Sequence, residues 1–465
     1  MKKALIIFLV LAMLMSFTAC TLEDVLAMIG VPGTQTPPTE APTDPPVTEP
    51  PAPETNVPKP YTKAEMEALK VAKPGMTEDE LRQIVLDYMR AQTNIIWTPS
   101  KNLSYYSQTK FMLIAEGNLA GGMPYITVCQ SSLYNFMHFY DERNGMLDVE
   151  KLQAEKQDWK QIVANQCSGS TYWAWVRVSN SIQFQYCNRI LPCNGYIFPD
   201  VIAEMLKDVT EYYPSGAGVE SITSTKYEIV PAIGREGMYQ LYAQMKPADG
   251  LIHYDGWTQK TDKDGNVIER TPSAAGHVIM CSSVPVIVYN EDGTIDGSNS
   301  YITIRDQTLS LKPTKLENGV ECDVYPNWDA VHTFDKLYST GYLPFTLPEF
   351  VGKDDVEIAT VTATLNGSAP GTSVKLADLQ KMKLDTNYPM SYHTITVKDA
   401  AGVVLFEDHI YSLKMNVYSV GKVLDKHILD YEALEALANG SNTVEVTTRV
   451  STGEVLTAYT GTLNK

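Results

Sequence analysis

Residues 36–60 read TPPTEAPTDPPVTEPPAPETNVPKP, a run of Pro, Thr and acids with no aromatic side chain. Proline supplies no amide donor, and this composition buries too little apolar surface to offset the entropy lost on ordering. The run is therefore expected as an extended polyproline-type stalk. At about 3.1 Å per residue it reaches on the order of 80 Å. It splits the 465-residue chain into a short N-terminal segment and a remainder long enough for two or three domains with a sizeable core.

Ahead of the stalk, Lys2 and Lys3 precede a nearly unbroken apolar run, Ala4 to Met15, which ends in Ser16-Phe17-Thr18-Ala19-Cys20. A basic start, about 12 apolar residues and small residues before a cut make a secretory signal, too short to span a bilayer as a mature helix. The ending resembles a bacterial lipoprotein signal, in which a cysteine after small residues is lipidated and becomes the mature N-terminus. Phe17 stands where that family usually has Leu. The resemblance implies a signal peptide over residues 1–19 and lipidation at Cys20. It also implies an extracellular protein, anchored to the outer face of the cytoplasmic membrane or cell envelope and meeting the membrane only through its lipid. An ordinary secretion signal with a chance cysteine is the alternative. The formal net charge of -18 opposes nucleic acid as a partner.

Beyond Cys20 the cysteines are Cys129, Cys167, Cys187, Cys193, Cys281 and Cys322. None has zinc-ligand spacing, so neither a metal nor a cofactor is expected. An oxidising exterior permits a Cys187–Cys193 bridge, with buried free thiols as the other reading.

Folded sequence is expected from Tyr61. Thr77-Glu78-Asp79-Glu80 reads as a capping box, and Leu81, Ile84, Val85, Tyr88 and Met89 follow at helical spacing, which predicts a helix over 78–92. Residues 95–130 read as loops and short strands, 148–163 as helical, and 167–185 as an amphipathic helix. Strands are expected at 278–280, 284–289 and 301–304. The 61–352 region reads as one α+β domain with an N-terminal helical region. From 353 to 465, alternating runs at 356–365, 393–398, 403–411, 443–450 and 456–463 suggest an all-β immunoglobulin-like sandwich, a spacer or binding module.

The chemistry concentrates in three places. Cys167 in Asn165-Gln166-Cys167-Ser168-Gly169-Ser170 falls at a helix start, where unpaired N–H groups and the helix dipole favour the nucleophilic thiolate. His277, about 110 residues on and at the start of a strand, is a candidate base. Asp306 on the next strand is placed to orient that ring and stabilise its charged form. Gln307, on the opposite strand face, is the second candidate there. A buried thiol, a structural histidine and a turn aspartate are the bland readings of each alone.

Together these segments resemble the NlpC-type and CHAP-type cell-wall cysteine hydrolases, bacterial branches of the papain-like fold. Gly121-Gly-Met-Pro-Tyr125 is similar to the family's Gly-x-Pro-Tyr segment, and QCSGSTYW (166–173) to its Asp-Cys-Ser-Gly block. Lys246-Pro-Ala-Asp249 resembles the Lys-Pro-Gly-Asp turn, Gly276-His-Val278 the histidine strand, and Asp306-Gln-Thr308 the CHAP Glu-Gln-Asn strand. The resemblance implies a papain-like central domain, its Cys-bearing helix packed on an antiparallel sheet. It implies Cys167 as nucleophile, His277 as base and then acid, and Asp306 as orienting group. Tyr125, Gln166, Ser168 and Gln307 are the implied substrate contacts, and peptidoglycan stem peptides the partner, cut at an amide bond. Gln166 replaces the acid that in NlpC-type enzymes helps hold a free amine, which leaves the N-terminal L-Ala–D-Glu specificity open. The same Cys…His…Asp order also fits a transglutaminase-like acyl transferase, although Ile279 stands where that family puts an aromatic. A catalytically inactive binding descendant and a purely structural lipoprotein are the remaining alternatives.

Overall fold

The structure, a computed structural model, describes residues 61–465 apart from 108–109, 128, 156–158, 183–186, 188–194, 207–223, 264–265, 274, 317 and 421–430. The signal, Cys20, the stalk and Cys193 lie outside the described residues. The fold is mixed α/β and strand-rich, with several sheets. No helix among the described residues is long and apolar enough to cross a membrane.

Helix α1 (Glu78–Asn94) starts where the sequence predicts. The Thr77 hydroxyl accepts from the Glu80 N–H, and the Glu80 carboxylate accepts from the Thr77 N–H. Each bond satisfies a donor that a helix start would otherwise leave open. The five apolar residues predicted to face the core are all buried. So are Arg82, Gln92, Thr93 and Asn94, because α1 is covered on more than one side.

Helix α2 (Cys167–Trp175) is buried along its whole length, and the Gln92 side chain of α1 donates to the Ser170 carbonyl of α2 at 2.6 Å. The sequence predicts this helix running on to 185, but it stops at Trp175. Beyond the cap residue Val176, the fully buried Arg177 binds the Lys70 carbonyl, the Tyr134 hydroxyl and the Ser451 carbonyl. Tertiary partners for one guanidinium outweigh helix propensity here. The 148–163 stretch likewise forms two short helices, Val149–Glu155 and Lys160–Val163.

The sheet beneath α2 has nine strands: β1 (Ile96–Pro99), β2 (Ala120–Gly121), β3 (Tyr140–Asp141), β4 (Met146–Leu147), β5 (Gly250–Tyr254), β6 (Gly276–Cys281), β7 (Tyr301–Lys315), β8 (Glu321–Thr333) and β9 (Leu343–Phe345). Their order is β9-β5-β6-β7-β8-β2-β1-β4-β3. Pairing is antiparallel from β9 through β8, and α2 packs on β6 and β7. The strand expected at 284–289 is instead a largely exposed loop, held by a bridge from Val286 to Tyr301 and by bonds between Val288 and Ser300. Pro285 removes one donor from that run.

The C-terminal strands are β10 (Val361–Thr364), β11 (Ser373–Lys375), β12 (Lys383–Lys398), β13 (Val404–Ser419), β14 (Asn442–Val450) and β15 (Val455–Asn464). A sandwich needs two sheets face to face. The described strands bond instead into one six-stranded sheet, β10-β12-β14-β15-β11 with β13 on β12. Short helices at Leu376–Leu379 and Tyr431–Leu437 make the region not purely β. It has its own buried core, separate from that of the preceding domain. The β14–β15 turn docks on the end of α2, with the Ser451 hydroxyl donating to the Val176 carbonyl at 2.6 Å.

Candidate active site

The chain enters α2 through Gln166, whose backbone is extended (φ -129°, ψ 177°). Its N–H donates to the Asn165 side-chain oxygen at 2.9 Å, and the Asn165 amide donates to the Ser131 carbonyl at 2.8 Å. A side chain at position 169 would place its Cβ 2.1 Å from that same Asn165 oxygen. Only glycine fits unless the Asn165 anchor moves, and Asn165 is fully buried. Gly169→Ala is therefore expected to destabilise the protein by about 1–3 kcal/mol, as overpacking does. Urea denaturation checks this, and an unchanged midpoint would show that Asn165 yields freely.

The same anchor brings Tyr125 to the cysteine. Asn165 donates its N–H to Pro124 and accepts at its carbonyl from Ile126, which makes a parallel bridge between Tyr125 and Asn165. The buried Tyr125 hydroxyl lies beside Cys167. Burial and the neighbouring thiolate hold this phenol well above its usual range. Gln307 was expected at the substrate. It is instead fully buried, its amide donating to the Met123 carbonyl, so it fixes the segment that carries Tyr125.

His277 and Asp306 meet across β6 and β7. The His277 Nε2 is hydrogen-bonded to Asp306 Oδ2. The other carboxylate oxygen accepts from the Asn327 backbone at 3.3 Å and from its side-chain amide at 2.6 Å. Asn327 pairs with Asp306 in the β7–β8 ladder, next to a register shift in which β8 carries one extra residue between Asn327 and Ala330. With Nε2 occupied, Nδ1 is the nitrogen left to face Cys167, and thiol and ring are close enough to shift each other's protonation.

Around the Cys167 sulfur stand the Cys187 thiol, the His277 ring and the Val278 N–H. The two sulfurs are 3.8 Å apart. The Cys187 hydrogen bond, opposed by burial and aided by the imidazolium, holds the Cys167 thiol well below its usual range. Cys187 is pushed up by donating to Cys167 and by burial. Burial works against a charged His277, but Cys167 and Asp306 overcome it and raise the ring to about 10. Burial would raise Asp306 too, yet His277 and Asn327 leave it lowered. The arrangement is a thiolate–imidazolium pair backed by a carboxylate, able to attack a carbonyl carbon and protonate a leaving group.

Ser168 and Gln166 are also buried beside Cys167. The Ser168 hydroxyl faces the Cys187 thiol, and the Gln166 side-chain nitrogen has no hydrogen-bond partner among the described residues. Three neighbours escape sequence reasoning: Asn327, Cys187 and Tyr342. Burial, followed by the charges of Asp306, Cys167 and Cys187, keeps the Tyr342 phenol well above its usual range. Lys246-Pro-Ala-Asp249 makes a tight turn in which Ala248 adopts φ 73°, a left-handed conformation that glycine takes at less cost. Comparison of the chain with protein-family models, with curated proteins and with solved structures gave no match.

Proposed function

We propose that this protein is an extracellular, lipid-anchored cysteine hydrolase that cleaves amide bonds in peptidoglycan stem peptides, as an endopeptidase or amidase. One observation carries the reading: the Cys167 sulfur at a helix start stands beside a His277 ring that Asp306 holds at Nε2. The antiparallel strands bearing His277 and Asp306 under that helix support a papain-like class for residues 61–352. The single C-terminal sheet argues for a spacer simpler than an immunoglobulin-like sandwich. The signal and stalk read from the sequence support an envelope location, and the segments shared with NlpC-type and CHAP-type hydrolases support the substrate class.

In this mechanism the Cys167 thiolate attacks the amide carbon, forming a tetrahedral oxyanion. The Cys167 N–H and the unpartnered Gln166 amide are the donors for that oxygen, with the Tyr125 hydroxyl beside Cys167. His277 gives its proton to the departing amine, leaving a thioester. It then takes a proton from water, which releases the acid and restores the thiolate. Tyr125, Gln166 and Ser168, packed around the sulfur, are the proposed substrate contacts.

The test is to incubate sacculi and purified stem peptides with wild-type protein and with Cys167→Ala, then to identify released amines by mass. New amino termini from wild type alone are expected. Binding by both proteins without cleavage by either would replace this reading with a binding module. A cross-linked amine product would replace it with acyl transfer.

A further inference from the structure

We propose that Cys167 and Cys187 form a reversible redox pair, in which Cys187 converts an oxidised Cys167 into an internal disulfide and so protects it from irreversible oxidation. The two sulfurs are 3.8 Å apart, in van der Waals contact, and both thiols are free. A disulfide needs them to close to about 2 Å. Cys187 is seated rather than passing by. A Cβ on Gly276 would come within 2.8 Å of the Cys187 Cβ, so glycine before His277 makes the space this thiol fills.

The chemistry balances with a peroxide as oxidant. The Cys167 thiolate attacks one peroxide oxygen, the O–O bond breaks and hydroxide leaves, giving a sulfenic acid. The Cys187 sulfur then attacks the Cys167 sulfur, the S–S bond forms, the S–O bond breaks, and water departs with the Cys187 proton. A dithiol reductant returns both thiols by exchange. Without a resolving thiol the sulfenic acid proceeds to sulfinic and sulfonic acids, which reductants do not reverse.

The pairing rests on the same Cys167 thiolate as the hydrolase reading, but its test reads sulfur chemistry and not cleavage. Full-length reduced protein is treated with hydrogen peroxide, remaining thiols are alkylated, and peptides are mapped without reduction. In wild type a Cys167 peptide linked to a Cys187 peptide is expected, with full return of both thiols on dithiothreitol. In Cys187→Ser, Cys167 should gain oxygen that dithiothreitol does not remove. The proposal is overturned if wild-type Cys167 gains oxygen as readily as the variant does. An unmodified Cys167, or a bridge from Cys187 to Cys193 instead, overturns it equally. The wild-type map alone decides the matter if the variant does not fold.

Discussion

His277→Ala should lower the rate of stem-peptide cleavage by about 10²–10⁴-fold, the usual worth of a positioned acid–base group. The ring does two jobs, the first of them shared with the Cys187 thiol. It holds the Cys167 sulfur as thiolate by charge and hydrogen bond, and it protonates the leaving amine. His253 lies directly opposite His277 on β5, but its Nε2 is engaged by Asp255 at 2.8 Å. Its ring packs against Tyr342 and is not among the groups that act on the Cys167 sulfur. Cleavage by His277→Ala within a few-fold of wild type would show that the proton travels by another route.

Asp249→Ala should cost about 3–5 kcal/mol of stability, the range for breaking a buried ion pair from one side. The Asp249 carboxylate receives the Arg82 guanidinium at 2.8 Å, the Lys246 N–H at 2.8 Å and the Thr346 hydroxyl at 2.6 Å. The side chains are only 6% and 10% exposed, so water cannot replace the lost partner. Glu78 still holds the Arg82 Nε at 2.8 Å, which favours the lower end of the range. The loss should also reach the site. The neighbouring Ala248 carbonyl accepts from Trp175 at the end of α2, and the turn feeds β5, the strand beside His277. Equilibrium denaturation measures the cost, and a loss below about 1 kcal/mol would mean that the pair contributes little net stabilisation.

What the sequence revealed and what it hid follow from interaction range. The α1 start was legible because a capping box is a local signal, complete within four residues. Cys167, His277 and Asp306 were legible as types in an order, since a nucleophile, a base and a carboxylate are each recognisable from side-chain chemistry. Their partners were not. Asn327 reaches Asp306 only through the β7–β8 register, and an irregular register cannot be counted off from the residues. For Cys187 the sequence offered a bridge to Cys193 or a buried free thiol, and nothing in it pointed to Cys167. The overlong reading of α2 and the strand expected at 284–289 failed for the same reason: apolar pattern alone does not show where a buried Arg177 or a Pro285 ends an element.

The shifted groups also set how stability depends on pH. His277 is raised from 6.5 to about 10, so its contribution is complete below 6.5 and is lost as pH climbs to about 10. Asp306 is lowered from 3.8, so its contribution is present above that value and is lost as acid passes through the depressed one.

Those same shifts make the thiolate itself the direct target. Alkylation of each thiol by iodoacetamide, followed by peptide mapping across pH, reads the state of Cys167 without any assumption about substrate. Cys167 should react ahead of Cys129, Cys281 and Cys322, at a rate already on its plateau at neutral pH. That rate should fall only well into acid and change again near 10, where His277 loses its proton. A Cys167 profile that climbs through about 8.5 like a free thiol, or no labelling at all, would contradict the thiolate–imidazolium pair.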